Sequence, residues 1–197
     1  MVNKRLQEAK TNIRKKRQTM KTTLTNEKIL TYKDLHFLPD GNYEIVDGKK
    51  IDMAPTGFRH GKFESIFSDL LNKHLNEKGY VAVGEIGIVI TRKPFRLRSA
   101  DVVYISKAAS PEEPEGILEL APDLIIEILS KDDSAWKMND KVKDYLSIGV
   151  KTLVLVDPFT ELITIYKHGE KEAVYYNFDE EFDLIEGVKI RMKEILQ

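Results

Sequence analysis

The chain has 197 residues, is 42% hydrophobic and nearly neutral, with 31 Lys and Arg against 32 Asp and Glu. That length suits one α/β domain with a substantial core, and no apolar run approaches the roughly 20 residues that span a bilayer. Cysteine is absent, which excludes disulfides and thiolate metal sites, fits a reducing cytoplasm, and leaves oxygen and imidazole as the ligands for any metal.

Residues 1–26 are polar, lack an apolar stripe, and carry eight Lys and Arg against one acid, Glu8. They are expected to form a loose helix or to be disordered, as a leader to a single domain over 27–197. No apolar core follows the basic residues, so the segment does not read as a secretory signal. The leader is +7 and the remainder −8. A basic arm on an acidic body suits nucleic-acid binding, here through Arg14, Lys15, Lys16 and Arg17. A solvated terminus with no partner is the alternative.

The stretch LTYKDLHFLPDGN predicts a short helix and a loop. YEIVDGKKIDMAP predicts two short strands around Asp47-Gly48, a type I′ hairpin signal. Residues 57–78 predict a helix, with Phe63, Ile66, Phe67, Leu70, Leu71, His74 and Leu75 on one face, and Gly79 ends it. Strands follow at 80–92 and 95–106, then a surface loop, PEEPEG, at 111–116. A strand at 123–129 leads to a helix at 134–147, with Trp136, Val142, Tyr145 and Leu146 as its apolar, packing residues. TLVLVD at 152–157 is a buried strand, and ELITIYKHG and EAVYYNF form an antiparallel meander. This order argues for an α/β domain with a mixed central sheet.

Glu127 is the anomaly. Leu124, Ile125, Ile126, Ile128 and Leu129 read as a strand buried on both faces, and Glu127 sits among them. A carboxylate is rarely fully buried unless it is paired or holds a metal. Asp101 precedes another apolar half-strand, VVYI. If the two strands are neighbours, two carboxylates, a backbone carbonyl and waters make a hard oxygen site suited to Mg²⁺, of the kind phosphodiester hydrolysis uses. Lys141, on the following helix, can swing back to add positive charge. The alternatives are a buried Glu127–Lys141 ion pair and a turn-capping Asp101. Asp123 is better placed to order the start of its strand than to bind metal. Arg92, Lys93, Arg96 and Arg98 flank Asp101 and form a cluster able to face a phosphate backbone. His36, His74 and His168 show no ligand spacing, which argues against zinc.

Four stretches, LPDGNYEIVDGKKIDMAPTGFRHG, FRLRSADVVYIS, APDLIIEILS and KVKDYLSIGVKTLVLVDP, the last followed by ITIYKHG, occur in that order. Together they resemble the Uma-two family of restriction-endonuclease-like proteins, within the PD-(D/E)XK nuclease superfamily. The resemblance runs from residue 43 to roughly residue 167 and implies a restriction-endonuclease-like α/β fold, a mixed central sheet flanked by helices. It implies that Asp101 is the first metal-binding acid and Glu127 the second. The proline usual before the first acid is Ala100 here. The superfamily lysine two residues after the second acid is Leu129 here, and the family's displaced lysine matches Lys141. An acid often found four residues before that lysine is replaced by Lys137, with Asp133 and Asp140 nearby. Glu44 matches a typical glutamate, an additional metal or water ligand. His60 matches a typical histidine that contacts phosphate or acts as an acid.

The function so implied is a Mg²⁺- or Mn²⁺-dependent endonuclease hydrolysing phosphodiester bonds in DNA. Asp101, Glu127 and the Ile128 carbonyl would hold the metal, and Lys141 would stabilise developing charge. The basic leader would add salt-sensitive attraction to phosphate. The alternative is a catalytically inactive nuclease-like module that binds nucleic acid or a partner, as a homodimer paired through an antiparallel sheet edge.

Overall fold

The computed structural model describes residues 29–39, 41–131, 133–185 and 187–196. The basic leader, with Arg14, Lys15, Lys16 and Arg17, lies outside the described residues. These fall into two units, one of the residues up to Ala54 with Thr91–Leu97, the other of Pro55–Ile90 with Arg98–Gln197.

In the first unit, β1 (Tyr43–Val46) and β2 (Lys49–Asp52) form the expected antiparallel hairpin, with Val46 opposite Lys49. Asp47 and Gly48 have φ of 51° and 80°, as a type I′ turn requires. The Gly48 N–H donates to the Phe95 carbonyl at 2.8 Å, and the Leu30 N–H donates to the Gly48 carbonyl at 2.7 Å. The chain passes so close that a Cβ at Gly48 would lie 2.7 Å from both the Leu30 oxygen and Ile29 Cγ2. Gly48→Ala is therefore expected to destabilise the fold by about 1–2 kcal/mol, read as a lower urea midpoint at unchanged m-value. The short helix expected here is a 3-10 turn, Tyr32–Phe37, whose Tyr32 ring meets Phe95 edge-on at 6.1 Å.

The second unit is built on α1 (Phe58–Leu75) and a mixed sheet. Strand β3 (Gly79–Arg92) pairs with β4 (Phe95–Ser106). From β4 the ladder continues through β5 (Leu124–Ile128), β6 (Thr152–Asp157), β7 (Leu162–Lys167) and β8 (Val174–Asn177). The pairings of this ladder are antiparallel except β5–β6, which is parallel. A parallel pair needs a crossover, and α2 (Ala135–Ser147) supplies it. A hairpin of β9 (Glu181–Ile185) and β10 (Val188–Arg191) and a last turn, α3 (Met192–Ile195), close the chain.

All five residues of β5 are buried, and strand alternation sorts them between two layers. Leu124, Ile126 and Ile128 pack with Phe63, Phe67, Leu71 and Leu75 of α1, while Ile125 packs with Val142 and Tyr145 of α2. Each such side chain contributes roughly 1.5–3 kcal/mol by leaving water. On β4, Val102 and Tyr104 pack on the α1 side, and Val103 and Ile105 on the α2 side. Ala100 also packs on the α2 side, so the two-residue alternation slips at Asp101. Such irregularities re-aim a side chain beside a site.

Two expectations for helix faces differ. His74, on the last turn of α1, is exposed, and Leu75 takes the final buried position. Trp136 is 70% exposed. It precedes Tyr145 by nine residues, two and a half helical turns, so it points away from the face that Tyr145 buries.

Candidate functional site

Asp101 is 4% exposed, and its Oδ2 accepts the Ile128 N–H at 2.6 Å. The first turns of α1 bring His60 and Glu64 against it. The spacing of four residues puts both on one helix face. His60 Nε2 lies 3.2 Å from Asp101 Oδ2 and 3.7 Å from Glu64 Oε1. One ligand atom each from His60, Glu64 and Asp101 lie within 4.8 Å of one another. Glu85 reaches the same charges from β3, where Gly84 and Glu85 have φ of 92° and 60°. A non-glycine residue in that conformation is strained, and strain of this kind collects at functional positions. His60 Nε2, Glu64 Oε1 and Glu85 Oε2 are all buried and make no well-aligned hydrogen bond.

Glu127 is 3% exposed. Tyr145 Oη donates to its Oε1 at 2.7 Å, and Lys141 Nζ donates to its Oε2 at 2.7 Å. Both donors also reach the Ser99 carbonyl, at 3.1 and 2.9 Å respectively. Lys141 has three protons and serves both acceptors, whereas the Tyr145 hydroxyl has one and serves one at a time. A protonated Glu127 resolves the conflict: it donates to Tyr145, which then donates to Ser99. Burial pushes the Glu127 pKa up to about 8, with Lys141 opposing the rise and Asp101 adding to it.

The neighbouring groups are shifted by the same crowding. Burial, and then the Asp101 charge, push Glu85 up to about 7. Burial and Asp101 also raise Glu64, while His60 opposes them. For His60, burial disfavours the charged form, but Asp101, then Glu64 and Glu85, outweigh it and hold its pKa above the ordinary value. Four acids thus share a water-poor space with one imidazole and one ammonium, and three buried polar atoms make no well-aligned hydrogen bond. Buried carboxylates are costly unless paired or bound to a cation. The donor set of carboxylate oxygens with one imidazole nitrogen fits a divalent cation: the oxygens suit Mg²⁺ or Mn²⁺, and the nitrogen favours the transition metal of the two.

In the second unit Asp101 meets His60 and the Ile128 N–H, while Glu127 meets Lys141 and Tyr145; the Asp101 charge reaches Glu127, but the ligand atoms within 4.8 Å of one another are those of His60, Glu64 and Asp101. Glu44 belongs to the first unit, where it is buried on β1 opposite Ile51. Among the residues expected to face DNA, Lys93 is exposed. Arg92 is exposed and lies 4.6 Å over the Tyr32 ring. Arg96 pairs with Asp47 at 2.9 Å. Arg98 does not face solvent. It lies in the buried run of β4 and pairs with Asp140 and, at 2.6 Å, with Asp144. Arg98→Ala is accordingly expected to lower stability by about 3 kcal/mol, because it strands the buried Asp144 carboxylate, and to leave nucleic-acid affinity unchanged in the folded fraction. Asp123 orders the start of β5, accepting the Ser106 N–H at 2.7 Å and pairing with Lys151.

Sequence reasoning did not single out Glu64, Glu85 or Tyr145 as site residues. Glu64 follows His60 by four positions and Tyr145 follows Lys141 by four, a helical spacing that could have flagged both. No periodicity marks Glu85, whose direction depends on the backbone turn at Gly84.

A solved structure described as a "putative nuclease belonging to DUF820 from Anabaena variabilis ATCC 29413" is 20% identical to this chain. It superposes with a TM-score of 0.72, covering 84% of this chain and 97% of that one. That likeness speaks to the fold, a mixed sheet flanked by helices in the restriction-endonuclease-like arrangement. No curated protein matches significantly. The family profile Uma2, described as "Putative restriction endonuclease", matches residues 29–192. The matched span contains the strands and helices that gather His60, Asp101, Glu127 and Lys141, and the chain belongs to the Uma2 family.

Proposed function

We propose that the protein is a divalent-metal-dependent nuclease that hydrolyses phosphodiester bonds in DNA. The observation that carries this reading is the convergence of ligand atoms from His60, Glu64 and Asp101 to within 4.8 Å of one another. Family membership and fold support it. Asp101 and Glu127 would hold a Mg²⁺ or Mn²⁺ ion with the Ile128 carbonyl, and His60 and Glu64 are further donors. The ion, when bound, supplies charge neutralisation at phosphate and lowers the pKa of water.

The chain's own residues do the rest. The Ile128 N–H fixes the Asp101 carboxylate. Tyr145 and the Ser99 carbonyl hold the Lys141 and Glu127 pair in place, so that the Lys141 ammonium is positioned to offset charge gathering on a phosphate. His60, whose proton Asp101 and Glu64 favour, would release it on taking up the ion through Nε2. Arg92, Lys93, Arg96 and the basic leader stand as sources of phosphate attraction. Among the described residues no helix is long and apolar enough to cross a membrane. We place the protein in the cytoplasm, as a homodimer that pairs through an antiparallel sheet edge.

One observation favours a second reading, an inactive nuclease-like binding module. Both Glu127 oxygens already have donors in Lys141 and Tyr145, so that pair is satisfied without a cation. Purified protein incubated with plasmid and single-stranded DNA, with Mg²⁺ or Mn²⁺ and with chelator, separates the two. Metal-dependent cleavage that disappears in Asp101→Ala and Glu127→Ala proteins supports the nuclease. Binding without cleavage under every condition supports the module.

A further inference from the structure

Three aromatic side chains stand in solvent near the carboxyl ends of the parallel pair β5 and β6. Phe58, the first residue of α1, is 92% exposed; Trp136, in the first turn of α2, 70%; and Phe159, just past β6, 43%. Exposed apolar residues scattered singly are ordinary, but these are interleaved with cations. The Arg59 guanidinium lies 5.1 Å and the Lys131 ammonium 5.3 Å from the Phe159 ring centroid. Arg59 also donates to the Pro158 carbonyl. Lys137 lies 5.9 Å from the Trp136 ring. Phe159 thereby holds two cations from separate segments over one ring.

Among the described residues, two nearby acids are engaged in turns of their own, Asp157 also lying within reach of the Arg59 charge. Asp133 Oδ2 accepts the Ser130 N–H and hydroxyl, at 2.7 and 2.9 Å. Asp157 accepts the N–H groups of Phe159 and Thr160 and the Thr160 hydroxyl. Phe58 and Arg59 run directly into His60, which abuts Asp101.

We infer that this rim grips nucleic acid with unpaired bases, as single strands or splayed ends. Phe58 and Trp136 stack on bases, and Arg59 and Lys131, oriented by Phe159, contact phosphate. The inference rests on the nuclease reading and adds its substrate class. A base inside a duplex already has both faces covered, so an exposed aromatic ring gains a partner only where bases are unstacked. Stacking tolerates any sequence, because every base has a π-face.

Trp136 is the single tryptophan of the chain, so intrinsic fluorescence reports on it alone. The full chain is titrated with oligothymidylate in chelator, which blocks metal-dependent cleavage. Tryptophan emission is expected to be quenched, and an abasic strand of equal length is expected not to quench it. By anisotropy, the single strand is expected to bind more tightly than a blunt duplex at the same salt. Phe58→Ala and Trp136→Ala should each weaken single-strand binding about tenfold while leaving circular dichroism unchanged. Equal affinity for duplex, absent quenching, or unaltered affinity in both variants would overturn the inference. So would self-association that Trp136→Ala abolishes, with no oligonucleotide bound, since the rim would then dock a second copy. Quenching by oligothymidylate in a protein that cleaves nothing leaves the rim standing and removes the nuclease reading. Cleavage of duplex without quenching does the reverse.

Discussion

Asp101→Asn protein is expected to lose about a thousandfold in phosphodiester cleavage while remaining folded. Asparagine keeps an acceptor for the Ile128 N–H, which now donates to Asp101 Oδ2 at 2.6 Å, so the strand geometry survives. The negative charge that raises Glu127, Glu85 and Glu64 and sustains the His60 proton is removed. Three readouts follow. Cleavage in Mg²⁺ or Mn²⁺ should vanish. The thermal upshift expected of the unsubstituted protein in Mn²⁺, a mass-action effect of binding the folded state, should shrink. The His60 imidazole, followed by NMR, should titrate at lower pH. Unchanged cleavage would remove Asp101 from the chemistry.

Glu127 carries the second large effect, through its proton. Its folded-state pKa of about 8 lies above the ordinary 4.5, so the folded protein keeps a proton that the unfolded chain releases. That contribution to stability is fully present below pH 4.5 and is lost as pH rises through about 8. Glu85, raised to about 7, adds a decline in the same direction. Glu127→Gln keeps one oxygen to accept from Lys141, turns an NH2 donor toward the Tyr145 hydroxyl as the protonated acid would, and cannot ionise. Its unfolding free energy should therefore fall less steeply between pH 5 and 9 than that of the unsubstituted protein, while cleavage is lost. Lys141→Ala is expected to cost about 3–5 kcal/mol at high pH, where it leaves a buried carboxylate unpaired, and less near pH 6, where Glu127 is protonated. A divalent cation competes for the same oxygens, so its apparent affinity should rise with pH, by up to about tenfold per unit. A pH-independent cation affinity would show that Glu127 takes no part in binding.

The helices, strands and the hairpin were legible because their signals are local. Periodicity marked α1 through Phe63, Phe67 and Leu71, and Asp47-Gly48 marked a turn that only positive φ can make. Part of the candidate site was legible for a different reason. An acid in a strand buried on both faces contradicts the rule that places charge in water, and Glu127 broke it openly. Lys141 could be noticed only through its place after that strand. Glu64, Glu85 and Tyr145 gave no such contradiction, since acids and tyrosines on helices and strand rims are ordinary.

The linear order of residues determined the α/β class, the buried β5 strand, and the presence of acids, a lysine and a histidine suited to a metal site. Tertiary structure alone decided which of them meet. A slip in the alternation of β4 sets Asp101 beside His60 and Glu64, and the turn at Gly84 brings Glu85 to the same charges. It also buried Arg98 against Asp140 and Asp144 and left Trp136 in solvent. The physical reason is common to all four. Whether a charged or aromatic side chain ends in water, in an ion pair or beside another acid depends on what packs against it from elsewhere in the chain, and that neighbour has no fixed spacing in sequence.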